Sequence, residues 1–170
     1  MQKIKSQKNK VVYVFIDATN IIYGCRNAGW RVDFKKLAKY LKTRYKVSRI
    51  FYYAGVDNKN LKQLNFYEKL SEFGYSLRLV PVKTFSDGRK KADVDSRMTY
   101  EMMRYLNNYT DMIVFTGDGD YYWVLEYLLQ KKNTLKLFGS RGTVAQELKQ
   151  LLKGNITDLQ LLKEVVNLKE

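Results

Sequence analysis

The chain has 170 residues, 45% of them hydrophobic, which is enough for one compact domain with a buried core. Its 31 lysines and arginines outnumber 17 acids, and this formal net charge of +14 favours polyanionic partners. Histidine is absent and Cys25 is the single cysteine, so disulfides within the chain, zinc-finger ligation and histidine general bases are excluded. Catalysis would have to use carboxylates, hydroxyls, lysines or a bound metal.

The N-terminal stretch 1–10 is basic and polar, and we expect it to be a flexible arm ahead of a single domain at 11–170. No stretch approaches the roughly 18 consecutive apolar residues of a membrane helix, and no cleavable apolar core follows the arm. These features predict a soluble, cytoplasmic protein with no membrane partner. The sequence does not decide between a monomer and a homo-oligomer.

Five apolar, β-branched runs are too short for helices and predict buried strands. These runs are 11–16, 48–54, 76–80, 112–115 and 134–138. Segments with helical spacing alternate with them, and the first opens on Asp33 as a candidate N-cap. These segments are 33–45, 58–73, 92–107, 120–131 and 143–153. Parallel strands need crossover connections and are buried on both faces, so the alternation predicts an α/β fold with a mainly parallel five-stranded sheet between two helical layers.

Two segments lie outside this alternation. The stretch 81–91 holds the only proline and an Asp87-Gly88 turn among polar and basic residues, which is typical of a mobile loop. The stretch 155–170 is expected to form a short terminal packing element.

Acidic and amide side chains follow two of the predicted strands. Asp17 and Asn20 come after the first strand, and Asp118 and Asp120 after the fourth. Ligands of open parallel sheets bind beyond the carboxyl ends of the strands. If the two strands are neighbours, an inference from the fold class, both groups lie at one crevice. The alternatives are structural: Asp17 or Thr116 could end a strand, Asn20 could be a turn residue, and Asp120 could cap a helix.

The helix at 92–107 adds a third acidic group. Its phase places Asp95 within the apolar arc, where an unpaired carboxylate is costly and should meet a cation, a donor or a metal. Glu101 lies at the edge of the same arc, whereas Asp93 suits an N-cap. Converging carboxylates repel one another, and Mg²⁺ or Mn²⁺ prefers such oxygen ligands. The pattern therefore predicts a metal site that could activate water against a phosphodiester without histidine.

These motifs resemble the NYN family of PIN-like nucleases, in its LabA-like bacterial branch, over 11–162. The segment from Phe15 to Asn20 matches a Phe-Ile-Asp-x-x-Asn pattern, and Lys91 to Asp95 matches a Lys-x-x-Asp-type helix start. Thr116 to Tyr121 is similar to a Ser/Thr-Gly-Asp-x-Asp-Phe signature, with tyrosine in place of phenylalanine. The chain departs from the family at Glu101, where aspartate is usual, and at Trp123, where proline is frequent.

The resemblance implies a Rossmann-like PIN fold and metal-dependent ribonuclease activity with Mg²⁺ or Mn²⁺. It implies metal ligation by Asp17, Asp95 and Asp118, with Asp120 and Glu101 completing the set or positioning waters. Asn20 would orient Asp17 or a phosphate. Asp93 and Thr116 are expected to support the ligands.

RNA is the implied partner, and single-stranded DNA is a second candidate substrate. Basic residues precede the Asp95 helix or lie in the expected loop after Asp17, where they could flank a phosphate backbone. They are Lys83, Arg89, Lys90, Lys91, Arg26 and Arg31. Tyr23 and Trp30 could stack on bases or serve in packing.

Two other functions stay open. The first is an RNA-binding module on the same fold that has weak or no catalytic activity. The second is a Mg²⁺-dependent phosphatase with Asp17 as nucleophile. It is disfavoured because phosphatases of the haloacid-dehalogenase type usually carry Asp-x-Asp, and here Thr19 takes the second position.

Overall fold

The computed structural model describes residues 9–169. Most of the predicted N-terminal arm therefore lies outside the described residues, and the single domain at 11–170 stays a prediction. In chain order the elements are β1 (Val12–Asp17), α1 (Ala18–Asn27), α2 (Phe34–Tyr45), β2 (Val47–Val56), α3 (Leu61–Glu72), β3 (Tyr75–Pro81), β4 (Lys83–Thr84), β5 (Lys90–Lys91), α4 (Val94–Arg104), β6 (Asp111–Phe115), α5 (Tyr122–Lys131), β7 (Thr134–Gly139), α6 (Gln146–Leu151), β8 (Ile156–Asp158) and α7 (Lys163–Val166).

Six parallel strands form the central sheet in the order β3-β2-β1-β6-β7-β8. The predicted α/β class is confirmed, and each of the five predicted strands is present within about two residues of its predicted ends. The sixth strand, β8, lies in the segment expected to be a terminal packing element. It has only three residues, too few for a periodic apolar pattern.

Two apolar cores lie on opposite faces of the sheet, because successive residues of a buried strand point to opposite sides. Val12, Val14 and Ile16 of β1 join one core, together with residues from α1, α2, α3 and α7. Tyr13 and Phe15 join the other, together with residues from α4, α5 and α6. This arrangement is the expected three-layer sandwich. None of the helices within residues 9–169 is both long enough and apolar enough to cross a bilayer.

The prediction of a loop directly after Asp17 is wrong, because Ala18–Asn27 form helix α1. The helix begins directly after the last residue of β1, and Asp17 is its N-cap. Because no turn residues separate the strand from the helix, the sequence gives no local signal that one element ends and the next begins. Capping of α2 by Asp33 is confirmed by a 3.0 Å hydrogen bond from the Lys36 N–H.

The segment expected to be a loop at 81–91 contains a small antiparallel hairpin. Lys83 pairs with Lys91 and Thr84 with Lys90. The connection turns at Gly88, whose φ of +80° is readily adopted only by glycine, and its N–H donates to the Phe85 carbonyl. The hairpin leads directly into α4, the helix that carries Asp95.

Candidate metal centre at the strand ends

The two strands that precede the acidic motifs are neighbours. β1 and β6 pair in parallel, with Ile16 opposite Phe115. The residues that follow them, Asp17 and Thr116, therefore leave the same edge of the sheet. The inferred adjacency of these strands is confirmed.

Asn20 connects the ends of β1 and β6. Its Nδ2 donates to Asp17 Oδ2 at 2.6 Å, and its Oδ1 accepts from the Gly117 N–H at 2.9 Å. Asp17 Oδ1 also accepts from the N–H groups of Thr19 and Asn20, which caps α1. Asp17 is only 3% exposed. The amide thus holds a buried carboxylate in one orientation across the strand boundary.

Three further carboxylates converge beside this pair. Asp95, Asp118 and Asp120 each place an oxygen so that all three oxygens lie within 4.8 Å of one another. Asp118 caps a single 3-10 turn at Gly119–Tyr121 by accepting from the Asp120 N–H at 3.0 Å. Asp95 and Asp118 are half-buried and Asp120 is exposed. This is a compact, partly open set of hard oxygen donors.

The electrostatics of the site favour a cation. Burial raises the pKa of Asp95, and the nearby charges of Asp118 and Asp120 raise it further, against a hydrogen bond from Tyr121. The pKa of Asp17 is also raised, mainly by burial, while hydrogen bonds from Asn20 oppose the shift and the charge of Asp95 adds to it. Asp17 is not one of the three converging residues, but its carboxylate is close enough to feel Asp95. A hard divalent cation fits this donor set.

Tyr121 is a site residue that sequence reasoning did not assign. Its side chain is fully buried, and its hydroxyl donates to Asp95 Oδ1 at 2.9 Å. Burial, with the charges of Asp17 and Asp95, raises the pKa of Tyr121, so the hydroxyl stays protonated as a donor. The signal in the sequence was the tyrosine at a position where the resembled family has phenylalanine.

Glu101 does not join the carboxylate group, which corrects the expectation that it completes the ligand set. Its Oε2 accepts from the Tyr53 hydroxyl at 3.0 Å and from Arg78 Nε at 2.7 Å. Its Oε1 accepts from Arg97 Nε at 2.8 Å. With 1% exposure and two guanidinium partners, the carboxylate is already neutralised. It ties α4 to β2 and β3.

The two expected supporting residues contact the backbone. Asp93 is the N-cap of α4 and accepts from the Ser96 N–H at 3.3 Å. Its hydrogen bonds with Ser96 lower its pKa. Thr116 is buried, and its hydroxyl accepts from the Asp118 N–H at 3.2 Å. Thr116 therefore helps to hold the loop that carries Asp118.

The basic cluster before α4 lies on the hairpin. Arg89 pairs with Asp87 at 2.6 Å, and Lys90 pairs with Asp57 at 3.3 Å, both on the surface. Exposed pairs of this kind contribute little stability. Lys83 and Lys91 are exposed, and their charges help to lower the pKa of Asp93. The hairpin therefore presents cations next to the start of the Asp95 helix.

The residues expected in a loop after Asp17 are divided by the structure. Tyr23, 57% exposed, and Arg26 lie on α1, and Arg31 is exposed beyond it. Trp30 is 4% exposed, and its Nε1 donates to Gln160 Oε1 at 3.1 Å. Because its ring is buried, Trp30 cannot stack on a base. Of its two predicted roles, packing is the one that the structure supports. Sequence reasoning missed Trp123 as an exposed aromatic, although it lies one helical turn beyond Asp120 and is 76% exposed.

We expect Asn20→Asp to destabilise the folded protein more than the small change in side-chain size suggests. The variant keeps an acceptor for the Gly117 N–H but replaces the donor to Asp17 with a second carboxylate. Repulsion between these buried acids should lower the free energy of unfolding by about 1–3 kcal/mol near neutral pH. Urea unfolding at pH 7 measures this loss. An unchanged midpoint would contradict the role of Asn20 as the link between the strands.

Comparisons with known proteins agree with the fold and the motifs. A family model described as the NYN domain matches residues 11–159. The protein "Low amplitude and bright protein LabA" of Synechococcus elongatus is 26% identical over 144 residues, which cover 80% of this chain and 77% of that protein. A crystal structure of a Vibrio parahaemolyticus protein of unknown function superposes with a TM-score of 0.79 at 24% identity, covering 97% of this chain and 100% of that one. The last likeness supports the fold alone.

Proposed function

The chain belongs to the NYN domain family, and on this premise we propose that it is a metal-dependent ribonuclease that hydrolyses phosphodiester bonds of RNA. NYN and PIN-like domains are generally nucleases. The observation that carries the proposal is the convergence of Asp95, Asp118 and Asp120 within 4.8 Å beside the buried carboxylate of Asp17. A protein of net charge +14 that binds a polyanion has little use for such a cluster unless a cation occupies it.

Asp95, Asp118 and Asp120 would hold Mg²⁺ or Mn²⁺, with Asp17 contributing from the end of β1. When bound, such an ion supplies Lewis acidity and lowers the pKa of water. It would thereby provide the activated nucleophile for which a chain without histidine has no histidine general base. The protein fixes the donors in advance. Asn20 orients Asp17 and the Tyr121 hydroxyl orients Asp95.

The exposed cations of the hairpin would bind the sugar-phosphate backbone on one side of the crevice, and Arg26 and Tyr23 of α1 would contact the chain on the other. The exposed ring of Trp123 offers a further stacking surface one turn beyond Asp120. We assign the protein to the cytoplasm, where RNA is available and where the single buried thiol of Cys25 would stay reduced.

We expect Mn²⁺ or Mg²⁺ to raise the melting temperature of the protein, because the ion would bind the folded carboxylates and not the unfolded chain. At about one hundred times the dissociation constant, the stabilisation should be about 2.7 kcal/mol, or about 5–10 °C for a chain of this size. Differential scanning fluorimetry measures the shift. Asp118→Asn should remove most of it, whereas Glu68→Gln, at an exposed acid of α3, should keep it. Equal shifts in all three proteins would contradict a metal centre at Asp118.

The activity itself is tested with end-labelled structured and unstructured RNA and with single-stranded DNA, each incubated with and without Mn²⁺. We expect RNA to be cut only when the ion is present, and mapping of product ends identifies the bond that breaks. A protein that shifts RNA on a gel but leaves it intact across Mg²⁺ and Mn²⁺ titrations would instead be the non-catalytic RNA-binding module.

A further inference from the structure

A cleft of about 610 Å³ lies on the face of the sheet covered by α1, α2 and α3. Its apolar lining includes Ile22 of α1 and the half-buried rings of Phe66 and Phe73 at α3. Clefts of this volume hold small organic ligands or single nucleotides. The proposed metal ligands do not line this cleft, but Arg26, which would contact RNA, does.

The cleft extends towards the N-terminus of α1, which follows Asp17 directly in the chain. A second, smaller hollow of about 260 Å³ begins at Ala18 and Thr19, the two residues directly after Asp17. The two hollows share Ile22, Arg26 and Phe66. A groove therefore leads from the N-terminus of α1 to the phenylalanine-lined cleft.

The rim of the cleft is cationic. Arg26, Arg31 and Lys69 are exposed, and none of the three side chains forms an ion pair within residues 9–169. Lys35 lies 6.0 Å from the centre of the Phe73 ring. The acid in the lining, Asp33, is already engaged as the cap of α2 and in a 3.7 Å pair with Lys36. The cleft thus combines aromatic walls with cations available for a phosphate.

We propose that this cleft binds an unpaired nucleotide of a single-stranded RNA chain whose backbone continues along α1 to the acidic crevice. The base packs against Phe66 and Phe73, and the flanking phosphates lie against Arg31 and Lys69. A base held in a duplex cannot enter such a cleft because it is stacked and paired. The inference rests on the proposed function and extends it, since it places a binding subsite for an unpaired base away from the metal centre.

Fluorescence anisotropy with a labelled, unstructured RNA of about twelve nucleotides tests the subsite, in EDTA so that no cleavage occurs. The double variant Arg31→Ala/Lys69→Ala should weaken binding about tenfold. It should also reduce the slope of log affinity against log salt by about 1.4, the value for two phosphate contacts on a single strand. The matched control Arg104→Ala/Lys153→Ala removes the same charge on the side of the sheet covered by α4 and α6, and it should change affinity less than about twofold.

Phe73→Leu tests the base contact separately, because leucine keeps an apolar side chain but removes the ring. We expect it to weaken binding of the single strand about fivefold or more while the melting temperature stays close to wild type. Binding of a duplex of the same length should not change. Equal losses for duplex and single strand would overturn the proposal, as would equal losses in the two charge variants.

Adenosine monophosphate separates an RNA chain from a free nucleotide as the occupant. The free nucleotide should bind at least about a hundredfold more weakly than the oligonucleotide, because it lacks the contacts along α1. Comparable affinities would overturn the assignment to an RNA chain. The two proposals fail separately: RNA that binds through the cleft but is never cut removes the ribonuclease proposal alone. RNA that is cut equally well by the wild type and by Arg31→Ala/Lys69→Ala, with unchanged affinity, removes the subsite alone.

Discussion

Asp118→Asn is expected to reduce the rate of RNA cleavage at least about a hundredfold and to leave the fold intact. The substitution replaces one of the three converging carboxylates with a neutral amide. Asparagine caps helical turns as well as aspartate does, so the hydrogen bond from the Asp120 N–H can persist. The variant should keep wild-type RNA affinity, because removing a negative charge cannot weaken binding to a polyanion.

Initial cleavage rates in Mn²⁺, together with anisotropy in EDTA, measure the two quantities, and Glu68→Gln is the control. Asp17→Asn should also abolish cleavage, but it is a less clean test. It sets an amide donor against the Asn20 Nδ2 group, which now donates to Asp17 at 2.6 Å, and so adds a cost in stability. Wild-type rates in both variants would refute the assigned ligands.

Glu101→Gln is expected to destabilise the protein by about 2–3 kcal/mol, or about 4–12 °C in melting temperature. The carboxylate neutralises Arg78 and Arg97 and accepts from Tyr53, and glutamine leaves both guanidinium groups without a counter-charge. The cost is below that of a fully buried pair because the Arg97 side chain is 48% exposed. Thermal and urea unfolding without divalent ions measure the loss.

Asp95→Asn, six residues earlier on α4, is the matched comparison and should behave in the opposite way. Burial and neighbouring acids raise the pKa of Asp95, so the folded protein without a metal disfavours its charged form, and a neutral side chain should not lower stability near neutral pH. Cleavage should nevertheless be lost. If Glu101→Gln instead kept full stability and lost activity, Glu101 would belong to the reaction and not to the scaffold.

Much of this site could be predicted because strand ends are visible in a sequence. The prediction that the acids after the first and fourth strands lie together required only that these strands be neighbours. Doubly wound sheets commonly have such an arrangement. The helical phase then predicted that Asp95 faces inward. The phase gives the direction of a side chain but not its position along the helix axis relative to the site. Glu101 shares the apolar arc yet lies about 9 Å farther along the axis, where Arg78 reaches it from β3.

The features that were not predicted depend on contacts between residues distant in sequence, or on a junction without turn residues. Helix α1 follows β1 without a turn, so Tyr23 and Arg26 were expected on a loop. The buried Trp30 donates a hydrogen bond to Gln160, which lies 130 positions away in the sequence, and no local sequence pattern predicts such a contact. Strand β8 gains its place from pairing with β7 and not from its own three residues.

The four acids differ in what they contribute to folding, and this difference affects how such a protein could change over generations. Asp17 and Asp118 each start a helical turn, so selection for folding alone would keep a capping residue, aspartate or asparagine, at both positions. Asp95 starts no helix but accepts a hydrogen bond from the buried Tyr121 hydroxyl. Within residues 9–169, the Asp120 carboxylate neither caps a helix nor accepts a hydrogen bond. If the protein is the proposed ribonuclease, a descendant that lost the activity would therefore keep capping residues at positions 17 and 118, whereas Asp120 would be free to change. Asp120 is thus the position that best distinguishes an active nuclease from an inactive copy of the same fold.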